Sequence, residues 1–242
     1  MTLPLRWLIT PILYHPFGKR ISLVHIANVA DVIGKVLPTS CVETIQEHKK
    51  RVLHVPLMPN GFVGKGGIGL GVARAIAAAG AHVSIWGTNP KKNTAAIQEL
   101  QAINPSASVL LCDVSDENAV EDSMAKVIDR YGRIDACFPN AGIGSQNQKP
   151  FFEHSSEDWF KVIDVNLHGV FFTLRAATRQ MVKQGEGGSL ILTSSGTAIQ
   201  GAPKAEAYAS TKGGMIAMMM SLSVEMARYK ITANAVLSLI HI

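Results

Sequence analysis

From residue 61 onward the chain alternates between short apolar runs of strand type and longer helical patterns. Residues 81–86, 109–112, 133–138, 189–193 and 230–236 read as strands. Helical patterns at 72–80, 116–131, 159–182 and 206–228 lie around them, the second capped at Ser115. Nothing else in the chain constrains the fold as much, because such alternation builds a parallel sheet with helices on both faces. Ligands of these sheets bind beyond the carboxyl ends of the strands. A length of 242 residues suits one domain with a sizeable core.

Two features at that edge bear on ligands. Gly64-x-Gly66-x-x-Gly69, which encloses Gly67 and Ile68, precedes a helix of small residues. Glycines there let a backbone approach a pyrophosphate, and the helix N-terminus adds amides and a positive dipole end. After the strand at 81–86, an acidic residue would bind the ribose 2′-hydroxyl of NAD. The chain instead reads Gly87-Thr88-Asn89-Pro90-Lys91-Lys92. Thr88, Asn89 and one of the lysines suit the 2′-phosphate of NADP. The alternative is that the lysines only solvate a helix start.

A third feature carries the chemistry. Ser195 follows the strand at 189–193, and Tyr208 and Lys212 stand four residues apart on the next helical pattern, hence on one face. A phenol, with a pKa of about 10, is a poor acid or base near neutrality. A fixed ammonium beside it favours the phenolate and lowers that pKa. Tyr208 could then exchange a proton with an alcohol or carbonyl oxygen that Ser195 holds by a hydrogen bond. Hydride transfer at the neighbouring carbon needs that proton.

The string from Ser194 to Gly214, S-S-G-T-A-I-Q-G-A-P-K-A-E-A-Y-A-S-T-K-G-G, closely resembles the active-site segment of the short-chain dehydrogenase/reductase family. Its 3-oxoacyl-carrier-protein reductases are the nearest type, and the resemblance runs over residues 64–236. It implies a single α/β domain, a three-layer α-β-α Rossmann-type doubly wound parallel sheet. It implies NADP or NAD as cofactor. It also implies a secondary alcohol or ketone substrate, with 3-oxoacyl thioesters, sugars and polyols as the first classes. By the same resemblance Asp113, with Val114 beside it, meets the adenine. Asn140, Ala141 and Gly142 support the sheet and line the cofactor, and Asn166 holds a water relay to Lys212. Tyr208 and Lys212 also touch the cofactor. Phe151, Phe152 and residues 143–149 are expected at the substrate pocket. Helices 159–182 and 206–228 pair in such proteins, which implies a homodimer or homotetramer.

The chain departs from the family at both ends. Against the usual T-G-x-x-x-G-x-G turn, Phe62 and Val63 replace Thr and Gly. The preceding strand would be 51–58, which contains Pro56, a residue that cannot donate to a central ladder. Pro139 stands where Asn is common. After 236 the usual Pro-Gly turn, substrate loop and seventh strand are replaced by Leu237-Ser238-Leu239-Ile240-His241-Ile242. The expected organisation is therefore an atypical segment at 1–60 and a C-terminally truncated cofactor-binding and catalytic domain at 61–242. The first segment reads as a tail, an added helix or an incorrect gene start. An edge strand without its neighbour exposes unpaired backbone, so poor expression is expected. A cofactor-binding scaffold or inactive fragment is the competing functional reading, and NAD(P)H absorbance separates it from an enzyme.

Charge and cysteines narrow the partners. Of the net +5, residues 1–60 hold 7 basic and 3 acidic residues. No basic stripe or aromatic platform accompanies them, so no nucleic acid partner is expected. No apolar run reaches the length of a membrane span. Cys41, Cys112 and Cys137 lack metal or redox spacing, which points to buried thiols in a reducing cytoplasm and to no metal site.

Overall fold

The computed structural model describes residues 67–144 and 149–238, together with the backbone of four short strands before them. Those strands are β1 (Leu13–Tyr14), β2 (Arg20–Ile21), β3 (Val24–Ile26) and β4 (Val52–Pro56). β5 (His82–Gly87), β6 (Ser108–Leu111), β7 (Ala136–Cys137), β8 (Gly188–Ser195) and β9 (Ile231–Ser238) follow. β1 and β2 form a small antiparallel pair. The other seven form one parallel sheet in the order β3-β9-β8-β7-β4-β5-β6.

Side-chain alternation along the strands makes the three layers. Leu190 and Leu192 of β8 face one way and Ile191 the other, into two separate cores. Ile191 joins Val83, Ile85 and Phe138 under α1 (Gly67–Ala78) and α2 (Pro90–Ile103). Leu190 and Leu192 join Val120, Leu174, Met215 and Met219 under α3 (Glu117–Tyr131), α5 (Gly169–Gln184) and α7 (Glu206–Glu225). The short helices α4 (Ser156–Ile163) and α6 (Thr197–Gln200) complete the set. This is the doubly wound α/β architecture expected from the alternation.

Four local readings need correction. The strand with Pro56 does form, at the centre of the sheet. Pro56 is its last residue and lies past the two positions that pair with β7, so its missing donor falls at the ladder's end. The helix expected over 159–182 is two helices, α4 and α5, joined by a π-turn at Asp164–His168. The cap of α3 is Asp116, whose carboxylate accepts from Asn118 and Ala119 N–H, whereas Ser115 bonds Asp113. Finally, the outer edge of β9 is not left bare: β3 pairs with it, Val24 to Val236 and Ile26 to Ser238. Strands from both sides of residue 60 therefore share one sheet.

The order reverses between β4 and β7. From β4 the chain winds outward through β5 and β6, and from β7 through β8 and β9. The carboxyl ends flanking this switch are where such a sheet leaves a crevice. Among the described residues no helix is long and apolar enough to cross a membrane.

Candidate active site

Ser195 ends β8, in register with Ser238 of β9, and the Gly196 N–H donates to the Ser238 carbonyl at 3.0 Å. The serine is thus held by the ladder at its strand's carboxyl end, and its Oγ accepts from Thr197 N–H at 3.3 Å. α7 packs on β8 and β9 and brings Tyr208 and Lys212 beneath that end. Lys212 Nζ lies 5.4 Å from the centre of the Tyr208 ring, and Ser195 faces the phenol.

Both groups are shifted by burial. Lys212 is 4% exposed, and desolvation lowers its pKa to about 8, so it stays an ammonium at neutral pH. Its charge is held by the Thr193 carbonyl, to which Nζ donates at 3.0 Å. Burial raises the Tyr208 pKa, and the hydrogen bond from Ser195 draws it partly back. The expected lowering by Lys212 is not what dominates: desolvation of the phenolate is the larger effect.

Asn166 sits in the π-turn and is fully buried. Widening a helix by one residue rotates the next side chains, a device common at functional positions. Here it turns Asn166 into the protein. Its Oδ1 accepts from Ile143 N–H at 2.7 Å, and its Nδ2 donates to the Ile143 carbonyl at 2.9 Å and to Thr211 Oγ1 at 3.3 Å. Gly142 lies between these groups. A methyl there would stand 3.1 Å from Asn166 Oδ1, a tight contact that presses on the amide, and 3.7 Å from Lys212 Nζ, an ordinary one.

The residues assigned to a dinucleotide fall along the same edge. Gly64 and Gly66 lie outside the described residues. Gly67 (φ +58°) opens α1 with nothing among the described residues within 4 Å of where a Cβ would be, Ile68 and Gly69 follow, and no acidic residue occupies the first turn. That leaves room and positive potential for a phosphate. Thr88 and Asn89 are exposed beyond β5, but Asn89 Oδ1 caps α2 by accepting from Lys92 N–H at 3.0 Å. Asp113 is exposed beyond β6, its Oδ1 engaged by Ser115. Val114 is buried where α5 passes closest. Asn140 and Ala141 are buried beyond β7. The Asn140 Oδ1 accepts from Thr193 Oγ1 at 2.9 Å, while its buried Nδ2 finds no partner among the described residues. An orphaned buried donor in the crevice, beside an open glycine turn, fits a polar ligand such as a dinucleotide.

Two contributors escape the sequence reading. Thr193 holds both Lys212 and Asn140, and Ser194 Oγ donates to the Lys212 carbonyl at 3.0 Å. The available signal was polar residues ending an otherwise apolar strand. Phe151 and Phe152 stand on a 3₁₀ turn, Phe152 at 85% exposure, and residues 145–148 lie outside the described residues.

The sequence model described as short chain dehydrogenase matches residues 63–239. A 3-oxoacyl-[acyl-carrier-protein] reductase of Chlamydia pneumoniae is 35% identical over 171 residues, which cover 71% of this chain and 68% of that protein. A 3beta-hydroxysteroid dehydrogenase of Mediterraneibacter gnavus is 34% identical over 170 residues, 70% of this chain and 60% of that protein. Among solved structures, NAD+-bound xylitol dehydrogenase superposes with a TM-score of 0.70 at 30% identity, covering 77% of this chain and 68% of the other.

Proposed function

The chain belongs to the short-chain dehydrogenase family, and on that premise we propose an NAD(P)-dependent oxidoreductase that interconverts a secondary alcohol and a ketone. One observation carries the reading: Ser195, Tyr208 and Lys212 converge at a single strand end, in the crevice of the sheet. When bound, the nicotinamide supplies or accepts the hydride. Ser195 holds the substrate oxygen by a hydrogen bond. Tyr208 gives that oxygen a proton in reduction and removes one in oxidation. Lys212, charged at neutral pH, favours the phenolate left behind. Asn166 anchors the segment after β7 against α7.

Gly64 to Gly69, Asp113, Val114 and Asn140 to Gly142 would hold the dinucleotide. NADP is the preferred form, because no carboxylate stands between Gly87 and Asn89 while Thr88 and Lys91 lie exposed there. Substrates are small alcohols or ketones, with the 3-oxoacyl thioester and hydroxysteroid classes of the relatives as first candidates. Residues 61–242 carry the cofactor and catalytic machinery. The assembly is a homodimer or homotetramer, and the buried free thiols Cys112 and Cys137 suit the cytoplasm.

Titration of NADPH against NADH by fluorescence, with turnover on a ketone panel, tests the proposal. Tyr208→Phe should lose about 10²-fold or more in turnover with cofactor affinity nearly intact. Substantial turnover by Tyr208→Phe would overturn the assignment, and tighter NADH than NADPH would overturn the cofactor preference.

A further inference from the structure

We propose that Thr211 is a positioning residue, whose hydroxyl bridges Asn166 to the first turn of α7 and so sets where Tyr208 and Lys212 stand. The inference rests on the reading of Tyr208 as the proton donor and Lys212 as its charged neighbour.

Thr211 lies between them on α7 and is fully buried. A threonine hydroxyl has one proton and two lone pairs. The proton goes to the Tyr208 carbonyl at 2.8 Å. Toward Asn166 the oxygen can therefore only accept, and the atom it meets, at 3.3 Å, is the amide nitrogen. That nitrogen spends its other proton on the Ile143 carbonyl, and Asn166 Oδ1 accepts from Ile143 N–H. One connected path thus runs from the backbone after β7, through the π-turn, into the carbonyl of Tyr208. Both ends border the reactive groups, because Gly142 precedes Ile143 and touches the space of Lys212 Nζ. Asn166 is fully buried, so removing the Thr211 oxygen strands an amide proton where no water replaces it. The first turn of α7 then loses its tie to Asn166, and Lys212 gains hydration. Among the described residues Tyr208 is the titratable group that faces Lys212, and the Lys212 Nζ donates to the Thr193 carbonyl.

The experiment compares wild type, Thr211→Val and Thr211→Ser as full chains. The midpoint of Lys212 is read by NMR of [13Cε]lysine-labelled protein, with Lys212→Met for assignment. Valine keeps the shape but not the oxygen, so its midpoint should rise by about 0.5 unit or more toward the ordinary lysine value, because burial is what lowers it. Serine should titrate like wild type. An unchanged midpoint in Thr211→Val overturns the proposal, and so does a serine variant that shifts as far as valine. Should Thr211→Val fail to fold, the wild-type Asn166 amide decides: both Nδ2 protons should exchange slowly, and one exchanging at the free rate overturns the bridge. These readings need no substrate. A wild type that turns over no ketone would refute the functional reading while leaving Thr211 to be judged on its own.

Discussion

Lys212 has its charge where burial disfavours one. Its ordinary pKa is about 10.4 and burial brings it to about 8. Between those two values the unfolded chain keeps a proton that the native state has released, so stability rises with pH across that window. Below it the ammonium is present in both states and its burial is a fixed cost, offset in part by the Thr193 carbonyl. Lys212→Met should therefore melt higher than wild type at pH 7, by an amount worth at most roughly 3 kcal/mol. The gap should narrow as pH rises from 8 toward 10. Thermal denaturation of both proteins at pH 7 and 9.5 checks this, and a gap that stays constant or widens would refute it. The stabilised variant should nonetheless be a poor enzyme. At this scale the sequence was readable in part. Four-residue spacing put Tyr208 and Lys212 on one face, because helix geometry alone decides that. The carbonyl of Thr193 and the hydroxyl of Ser194 were not readable as partners of Lys212, because those contacts exist only once α7 lies on β8.

The elements tell a similar story. β5, β8 and β9 were legible from apolar runs, since strands covered on both faces need little else. The π-turn at Asp164–His168 was not, because one inserted residue barely disturbs the periodicity on either side. Neither was the central place of β4, where Pro56 argued against a strand it only terminates. The π-turn delivers Gly169 against Val114: a Cβ at Gly169 would lie 2.8 Å from Val114 Cγ2 and 3.0 Å from its carbonyl. Gly169→Ala must then push α5 away from the segment after β6 or drive Val114 toward the crevice proposed for the dinucleotide. Overpacking of this kind costs about 1–3 kcal/mol. Urea denaturation should show that loss, together with weaker NADPH binding; a variant with unchanged midpoint and affinity would show that the two segments part freely.

For the whole molecule the outside of α5 and α7 is the face that bears on assembly. A groove of about 480 Å3 runs between them, lined by Phe171, Leu174, Val182, Met218, Leu222 and Met226 among others. Apolar lining on a face turned away from the sheet is what a helix buried on several sides would present. Pairing of this face with its copy about a two-fold axis would close it. Light scattering at micromolar concentration should report a dimer or tetramer for the wild type. Leu222→Glu, which puts a carboxylate into the groove, should yield a smaller species that remains folded. A folded wild-type monomer would refute the assembly.

The pairing of β3 with β9 joins Val24 to Val236, almost the whole described chain apart. Closing so long a loop for three residue pairs gives little return until everything between them has formed. On a ribosome β3 emerges well before β9, and synthesis at about 5–20 residues per second separates them by roughly ten seconds or more. For that interval β3 has no place in the sheet. Its docking has to wait for β9, and until then its edge is open to a competing strand from a neighbouring nascent chain.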